Sequence, residues 1–131
     1  MTKRRILWMS FLIAVVFTVL DGLVHIFYEP LEIYDYPIHF FWIQSPVINY
    51  AISKLLASSA LLFIMFYLFA KTSLSKNKQY VWITLILVAL LEIRYIFSGD
   101  YTTTWHVLNV INHLVTLAIG MVVVKRFGSS E

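Results

Sequence analysis

Four long apolar stretches dominate this 131-residue chain, at about residues 6–28, 46–70, 80–97 and 105–124. Each has close to the roughly 20 residues that an α-helix needs to cross the hydrocarbon of a bilayer. Hydrocarbon offers the backbone no water, so such stretches must satisfy their own hydrogen bonds as helices. The composition agrees, since 60% of the residues are hydrophobic and only 13% are charged, against about 25% in soluble domains. The sequence therefore predicts an all-α integral membrane protein, a single domain of four transmembrane helices over residues 1–131.

The lysines and arginines predict how the helices are oriented. Eight of the ten basic residues precede the first stretch, separate the second from the third, or follow the fourth: Lys3, Arg4, Arg5, Lys71, Lys76, Lys78, Lys125 and Arg126. The other connections, residues 29–45 and 98–104, contain none. Because basic loops stay in the cytoplasm, we expect both termini to be cytoplasmic in a multi-pass protein of the plasma membrane. The bilayer is then the first partner, and the net charge of +3 reflects topology and not nucleic-acid binding.

Polar and ionisable residues inside the stretches gather toward the side opposite the basic loops. They are Asp21, His25, Lys54, Glu92, Arg94, His106, Asn109, Asn112 and His113. An ionisable group in hydrocarbon costs a few kcal/mol or more and is a functional-site hypothesis by default. The sequence thus predicts one polar region in the outer half of the bundle.

Asp21 and His25 are four residues apart, so on a helix they share a face. His39 in the following loop could add a third ligand. Imidazole suits copper, zinc, iron and nickel, and a carboxylate adds an oxygen donor. The chain has no cysteine, which excludes thiolate sites. On spacing alone, Asp21, His25 and His39 form a candidate metal site.

Structural roles for the same residues stay open beside the metal site. The histidines and asparagines of the fourth stretch could be interhelical hydrogen-bonding residues. Glu92 with Lys54, or Asp21 with Arg94, could be ion pairs that make burial tolerable. The loop acids Glu29, Glu32 and Asp35 are expected to be solvated, although Glu32 could lie near a metal.

Two short motifs resemble those of a helical subunit of the copper-dependent membrane monooxygenases, the methane and ammonia monooxygenase family. "DGLVH" (Asp21–His25) matches its D-G-x-x-H element, and "PIHFFW" (Pro37–Trp42) its P-x-H element. The resemblance implies that Asp21, His25 and His39 ligate copper, with zinc or no metal as the alternatives. It also implies that the chain works in a complex with other membrane subunits.

The family's second element, N-E-x-x-H with a later P-x-H, falls on "LLEIRYIFSGDYTTTWHVLN". Glu92 matches its glutamate and His106 its later histidine. However, Leu91 and Tyr95 stand where asparagine and the first histidine are expected. The resemblance therefore implies one intact and one degenerate site. The residues that could belong to the second site, or support the first, are Glu32, Glu92, Tyr95, His106, Asn109 and His113.

Three functions follow from these observations. The first is a copper-binding subunit of a monooxygenase complex that oxidises ammonia or methane. The second is a non-catalytic accessory subunit with a vestigial site. The third is a small ion- or proton-linked transporter, which the nearly apolar inner halves of the stretches disfavour. No nucleophile elbow, phosphate-binding glycine loop or H-E-x-x-H motif occurs, so the sequence leaves open whether the chain is an enzyme.

Overall fold

The computed structural model describes residues 1–28, 45–99 and 101–127. They form four helices: α1 Lys3–Tyr28, α2 Pro46–Phe69, α3 Lys76–Ser98 and α4 Thr103–Phe127. No strand occurs in these ranges, and all four helices are long and apolar enough to cross a membrane. The predicted all-α class and helix number are confirmed. The helices α1, α3 and α4 are longer than predicted at the ends that carry lysine or arginine, because hydropathy marks only the apolar part of a helix.

Local sequence sets two of the helix ends. The Ser45 side chain accepts a hydrogen bond from the Ile48 N–H at 3.4 Å, and Pro46 follows in the first helical turn, where its missing N–H costs nothing. At the end of α3, Gly99 has a φ of 69°, a left-handed conformation that glycine adopts without steric cost. These two signals fix where α2 starts and where α3 stops.

Successive helices run in opposite directions, and each packs against its two neighbours in the ring α1–α2–α3–α4. We call the end where α1 begins and α4 ends the basic end, and the opposite end the distal end. At the basic end the Lys3 ammonium lies 6.0 Å from the Tyr67 ring of α2. Farther toward the distal end, Tyr50 of α2 contacts Asp21 of α1. The arrangement is an up-and-down four-helix bundle.

The bundle is apolar both inside and outside over much of its length. Its fully buried side chains include Ile13, Phe17, Leu62, Leu87 and Leu117. Large apolar residues also cover the outward faces of all four helices, among them Trp8, Leu56, Trp82 and Val122. Exposed apolar surface of this extent marks a membrane or protein interface.

A glycine allows α4 to approach α1 closely in the basic half. A Cβ added at Gly120 would lie 3.1 Å from the Ile13 Cγ2 atom and 3.4 Å from the Ile13 carbonyl oxygen. Small residues allow this kind of close approach between apolar helices. Gly120 therefore allows the close packing of α4 against Ile13 of α1.

Candidate functional site: a buried polar network

Seven polar side chains from all four helices meet in the distal half of the bundle. We call this set the buried polar network; its members are Asp21 from α1, Tyr50 and Lys54 from α2, Glu92 from α3, and Asn109, Asn112 and His113 from α4. None of them exposes more than 8% of its surface. The network is therefore inside the bundle and not on its outer surface.

Asp21 is the centre of the network. Its Oδ2 atom forms an ion pair with the Lys54 ammonium and accepts a hydrogen bond from the Tyr50 hydroxyl at 3.4 Å. Its Oδ1 atom accepts a hydrogen bond from the Asn112 side-chain amide. Lys54 also donates to the Tyr50 hydroxyl at 2.8 Å. One carboxylate thus ties α1 to both α2 and α4.

His113 lies between two carboxylates. Its Nε2 atom is 3.2 Å from the Asp21 Oδ1 atom, and its Nδ1 atom is 2.8 Å from the Glu92 Oε1 atom. Asn109 donates a second hydrogen bond to the same Glu92 oxygen at 2.7 Å. A neutral imidazole has a single N–H, so both ring contacts are hydrogen bonds only if the ring is an imidazolium or one carboxyl carries a proton. With an imidazolium, the network holds two positive and two negative charges.

Helical spacing explains how these groups reach one another. Tyr50 and Lys54 are four residues apart on α2, and Asn109 and His113 are four apart on α4, so each pair shares a helix face. Phe17, one turn before Asp21, closes the network toward the apolar core. Its ring centroid lies 4.6 Å from the Lys54 Nζ atom and 5.7 Å from the His113 ring centroid.

One carboxylate oxygen in the network is left over. Glu92 Oε2 is buried and has no hydrogen-bond partner within the described ranges. Both oxygens of Asp21, in contrast, are engaged. A buried polar atom without a partner costs about 1–3 kcal/mol, so Glu92 Oε2 is the position in the network where an additional donor would be most favourable.

Aromatic residues cover the distal side of α3 and α4. Tyr101 and Trp105 stack with ring centroids 3.9 Å apart, Tyr95 meets Trp105 edge-on at 5.0 Å, and His106 lies 5.4 Å from the Trp105 ring. The Trp105 Nε1 and His106 Nδ1 atoms are buried without a hydrogen-bond partner in the described part of the chain. These four residues, Tyr95, Tyr101, Trp105 and His106, form an aromatic cluster between α3 and α4.

The structure places the predicted metal ligands as follows. Asp21 is in the network, the side chain of His25 is outside the described part of the structure, and His39 lies in residues 29–44, which are also outside it. Asp21 in this arrangement does not fit a metal site, because the Lys54 ammonium and the Asn112 amide occupy its oxygens. The described residues bring no three histidines or acids into a ligand cluster. Copper at Asp21, His25 and His39 stays a prediction.

The structure also assigns partners to the other predicted residues. Lys54 pairs with Asp21 and not with Glu92, the partner suggested for it. Arg94, the suggested partner of Asp21, has its side chain outside the described part, and Glu32 is outside it entirely. Three residues of the predicted hydrogen-bonding stripe do bond across helices: Asn109, Asn112 and His113. The fourth residue of the stripe, His106, and also Tyr95, belong instead to the aromatic cluster.

Tyr50 is a member of the network that the sequence does not single out. Its hydroxyl accepts from Lys54 and donates to Asp21, so it completes the ion pair. The spacing of four between Tyr50 and Lys54 is the available signal, but aromatic residues are common near helix ends in membranes.

Comparisons with protein families, curated proteins and solved structures found no match to this chain.

Proposed function

We propose that this chain is a four-span protein of the plasma membrane that acts as a non-catalytic component of a larger membrane assembly. Both termini lie in the cytoplasm, and the distal end faces outward. The buried polar network holds the four helices in one arrangement so that their apolar outer faces are presented to lipid and to partner subunits. The resemblance to a monooxygenase subunit supports the assembly, and the helix lengths and the distribution of lysine and arginine support the topology.

The observation that carries the proposal is how the network uses its charges. Asp21 bonds to Lys54, Tyr50 and Asn112, and Glu92 Oε1 bonds to Asn109 and His113. These contacts join helices, and they leave few polar atoms of the network available for binding or catalysis. In the basic half, the described core residues include no charged side chain, which disfavours an ion- or proton-linked transporter because no buried charged group of the described ranges continues the path there.

Topology has a direct test, because the chain contains no cysteine. Single cysteines at Ser73, between α2 and α3, and at Thr104, at the start of α4, would report on opposite ends. A membrane-impermeant maleimide added to intact cells is expected to label Thr104→Cys and not Ser73→Cys; lysed cells are expected to show both. Labelling of Ser73→Cys in intact cells would reverse the proposed orientation.

The scaffold role is tested by removing the chemistry while keeping the shape. Asp21→Asn combined with Lys54→Met deletes the central charge pair without leaving an unpaired ion. We expect the double variant to insert, fold and co-purify in mild detergent with the same partners as the wild-type chain. A folded double variant that loses its partners, or a wild-type chain that is isolated alone under all mild conditions, contradicts the scaffold proposal.

A copper-binding subunit is the second candidate. Two buried polar atoms of α3 and α4 that have no hydrogen-bond partner in the described ranges favour it. Glu92 Oε2 and His106 Nδ1 are both buried without a partner among the described residues, and they belong to the two residues that match the family's second ligand element. Copper would supply redox chemistry. At the first site it would require Lys54 to leave Asp21.

Metal analysis distinguishes this candidate from the scaffold. Equimolar copper retained by the purified wild-type chain would support the candidate; its loss in both His25→Ala and His39→Ala would assign it to the first predicted site, and its loss in His106→Ala would assign it to the second. A folded chain that retains no copper after incubation with Cu(I) and with Cu(II) would exclude it. The control is Lys78→Gln, which alters a lysine at the opposite end of the bundle.

A further inference from the structure

A cavity opens at the basic end between α1, α3 and α4. Its volume is about 190 Å³. Residues from three helices line it: Arg5, Met9, Lys76, Asn77, Tyr80, Val124 and Lys125. It lies at the opposite end of the bundle from the buried polar network, and none of the network residues lines it.

The charged side chains that line this cavity in the described part of the chain are all positive. Arg5, Lys76 and Lys125 each come from a different helix, and no carboxylate lines the cavity among the described residues. The two acidic residues that the structure describes, Asp21 and Glu92, belong to the buried polar network in the distal half, and the other five acidic residues lie outside the described ranges. Three cations around one small cavity repel each other, so the cavity favours an anion.

The lining is also amphipathic. Met9 and Val124 are almost fully buried and form an apolar wall, whereas Lys76 and Lys125 are exposed at the rim. The Asn77 amide and the Tyr80 hydroxyl add hydrogen-bond donors. An inorganic anion would use only the rim, but a phospholipid can place its phosphate among the cations and its first acyl carbons against the apolar wall.

We propose that this cavity binds the head group of an anionic phospholipid from the cytoplasmic leaflet. The inference assumes the bilayer insertion proposed above but does not depend on the role of the buried network. Basic pockets between transmembrane helices on the cytoplasmic side bind such head groups. The basic residues outside the cavity, such as Lys71 over the Tyr67 ring and the exposed Lys78, are explained by topology alone and serve as controls.

The test is a native mass spectrometry titration of the full chain in detergent with phosphatidylglycerol and with phosphatidylcholine of the same acyl chains. We expect one phosphatidylglycerol to bind in preference to phosphatidylcholine. In Lys76→Gln with Lys125→Gln, this preference is expected to fall about fivefold for each cation removed. Lys71→Gln with Lys78→Gln removes the same charge from the same end and is expected to retain it.

Three results would overturn the proposal. One is the absence of a lipid preference in the wild-type chain. Another is an equal loss of the phosphatidylglycerol preference in Lys71→Gln with Lys78→Gln, which would mean that general surface charge causes the preference. The last is competition by inorganic phosphate at the same concentration as phosphatidylglycerol, which would show that the apolar wall contributes nothing and that a free anion is the ligand.

Discussion

The two halves of the bundle use their ionisable residues in opposite ways. In the distal half, Asp21, Lys54, Glu92 and His113 are buried and neutralise one another. In the basic half, the described residues include no fully buried charged side chain, and Lys76 and Lys125 stand at the rim of the cavity. The distal half is therefore stabilised by specific polar contacts between helices, whereas the basic half is stabilised by close packing of apolar side chains.

In the proposed bilayer setting, this difference has a physical reason. Lipid tails are as apolar as leucine, so apolar burial alone does little to bring helices together in a bilayer. What remains is close packing, which Gly120 provides against Ile13, and hydrogen bonding, which the network provides. The following substitutions, taken from the largest expected effect to the smallest, separate these two contributions.

Breaking the central ion pair is expected to have the largest effect. Asp21→Asn leaves the Lys54 ammonium buried without its carboxylate, and removing one partner of a buried pair costs about 3–5 kcal/mol. The free energy of unfolding, measured by denaturant titration in mixed micelles, should fall by this amount. The double variant with Lys54→Met should recover most of the loss, and equal losses in the single and double variants would show that the pair is not coupled.

Glu92→Gln is expected to cost less than Asp21→Asn. Only Oε1 of Glu92 accepts hydrogen bonds within the described ranges. The substitution therefore weakens charge-assisted hydrogen bonds worth about 1.5–3 kcal/mol, but it leaves no buried lysine without its carboxylate partner. The same denaturant titration gives the comparison. A loss as large as that of Asp21→Asn would indicate that Glu92 Oε2 has a ligand in the membrane, which would favour the copper-binding candidate.

Gly120→Ala tests the shape of the basic half. The new methyl group would meet the Ile13 side chain at 3.1 Å and its carbonyl oxygen at 3.4 Å, and overpacking of this kind costs about 1–3 kcal/mol. Because α1 and α4 must separate slightly, the contacts between Asp21 and Asn112 should also weaken. Amide hydrogen exchange along α4 would detect this. Unchanged exchange and stability would mean that the interface is loose.

Gly22→Ala is the matched control and should have the smallest effect. A Cβ at Gly22 meets nothing within 4 Å, although the residue directly follows Asp21. Since alanine is favoured over glycine in a helix by about 0.5–1 kcal/mol, the variant should be as stable as the wild-type chain or slightly more so. Destabilisation would show that the region around Gly22 is packed against something beyond the described residues.

The fold was largely predictable from the sequence, because a run of about 20 apolar residues can satisfy its backbone in hydrocarbon in only one common way. The membership of the site was predictable only in part. Asp21, Lys54, Glu92 and His113 stand out as ionisable residues in apolar stretches. Tyr50 does not, because a tyrosine near a helix end is ordinary in a membrane protein.

The sequence by itself determined that there are four apolar helices, that polar residues gather in their distal halves and that basic residues lie at one end. These properties follow from one-dimensional periodicity and charge. Only the tertiary structure decided that Lys54 pairs with Asp21, that His113 bridges Asp21 and Glu92, and that Glu92 Oε2 has no partner in the described ranges. Pairing depends on the rotation and depth of each helix relative to its neighbours. The motif "DGLVH" specifies neither the rotation nor the depth of the neighbouring helices, and the partners of Asp21 come from α2 and α4.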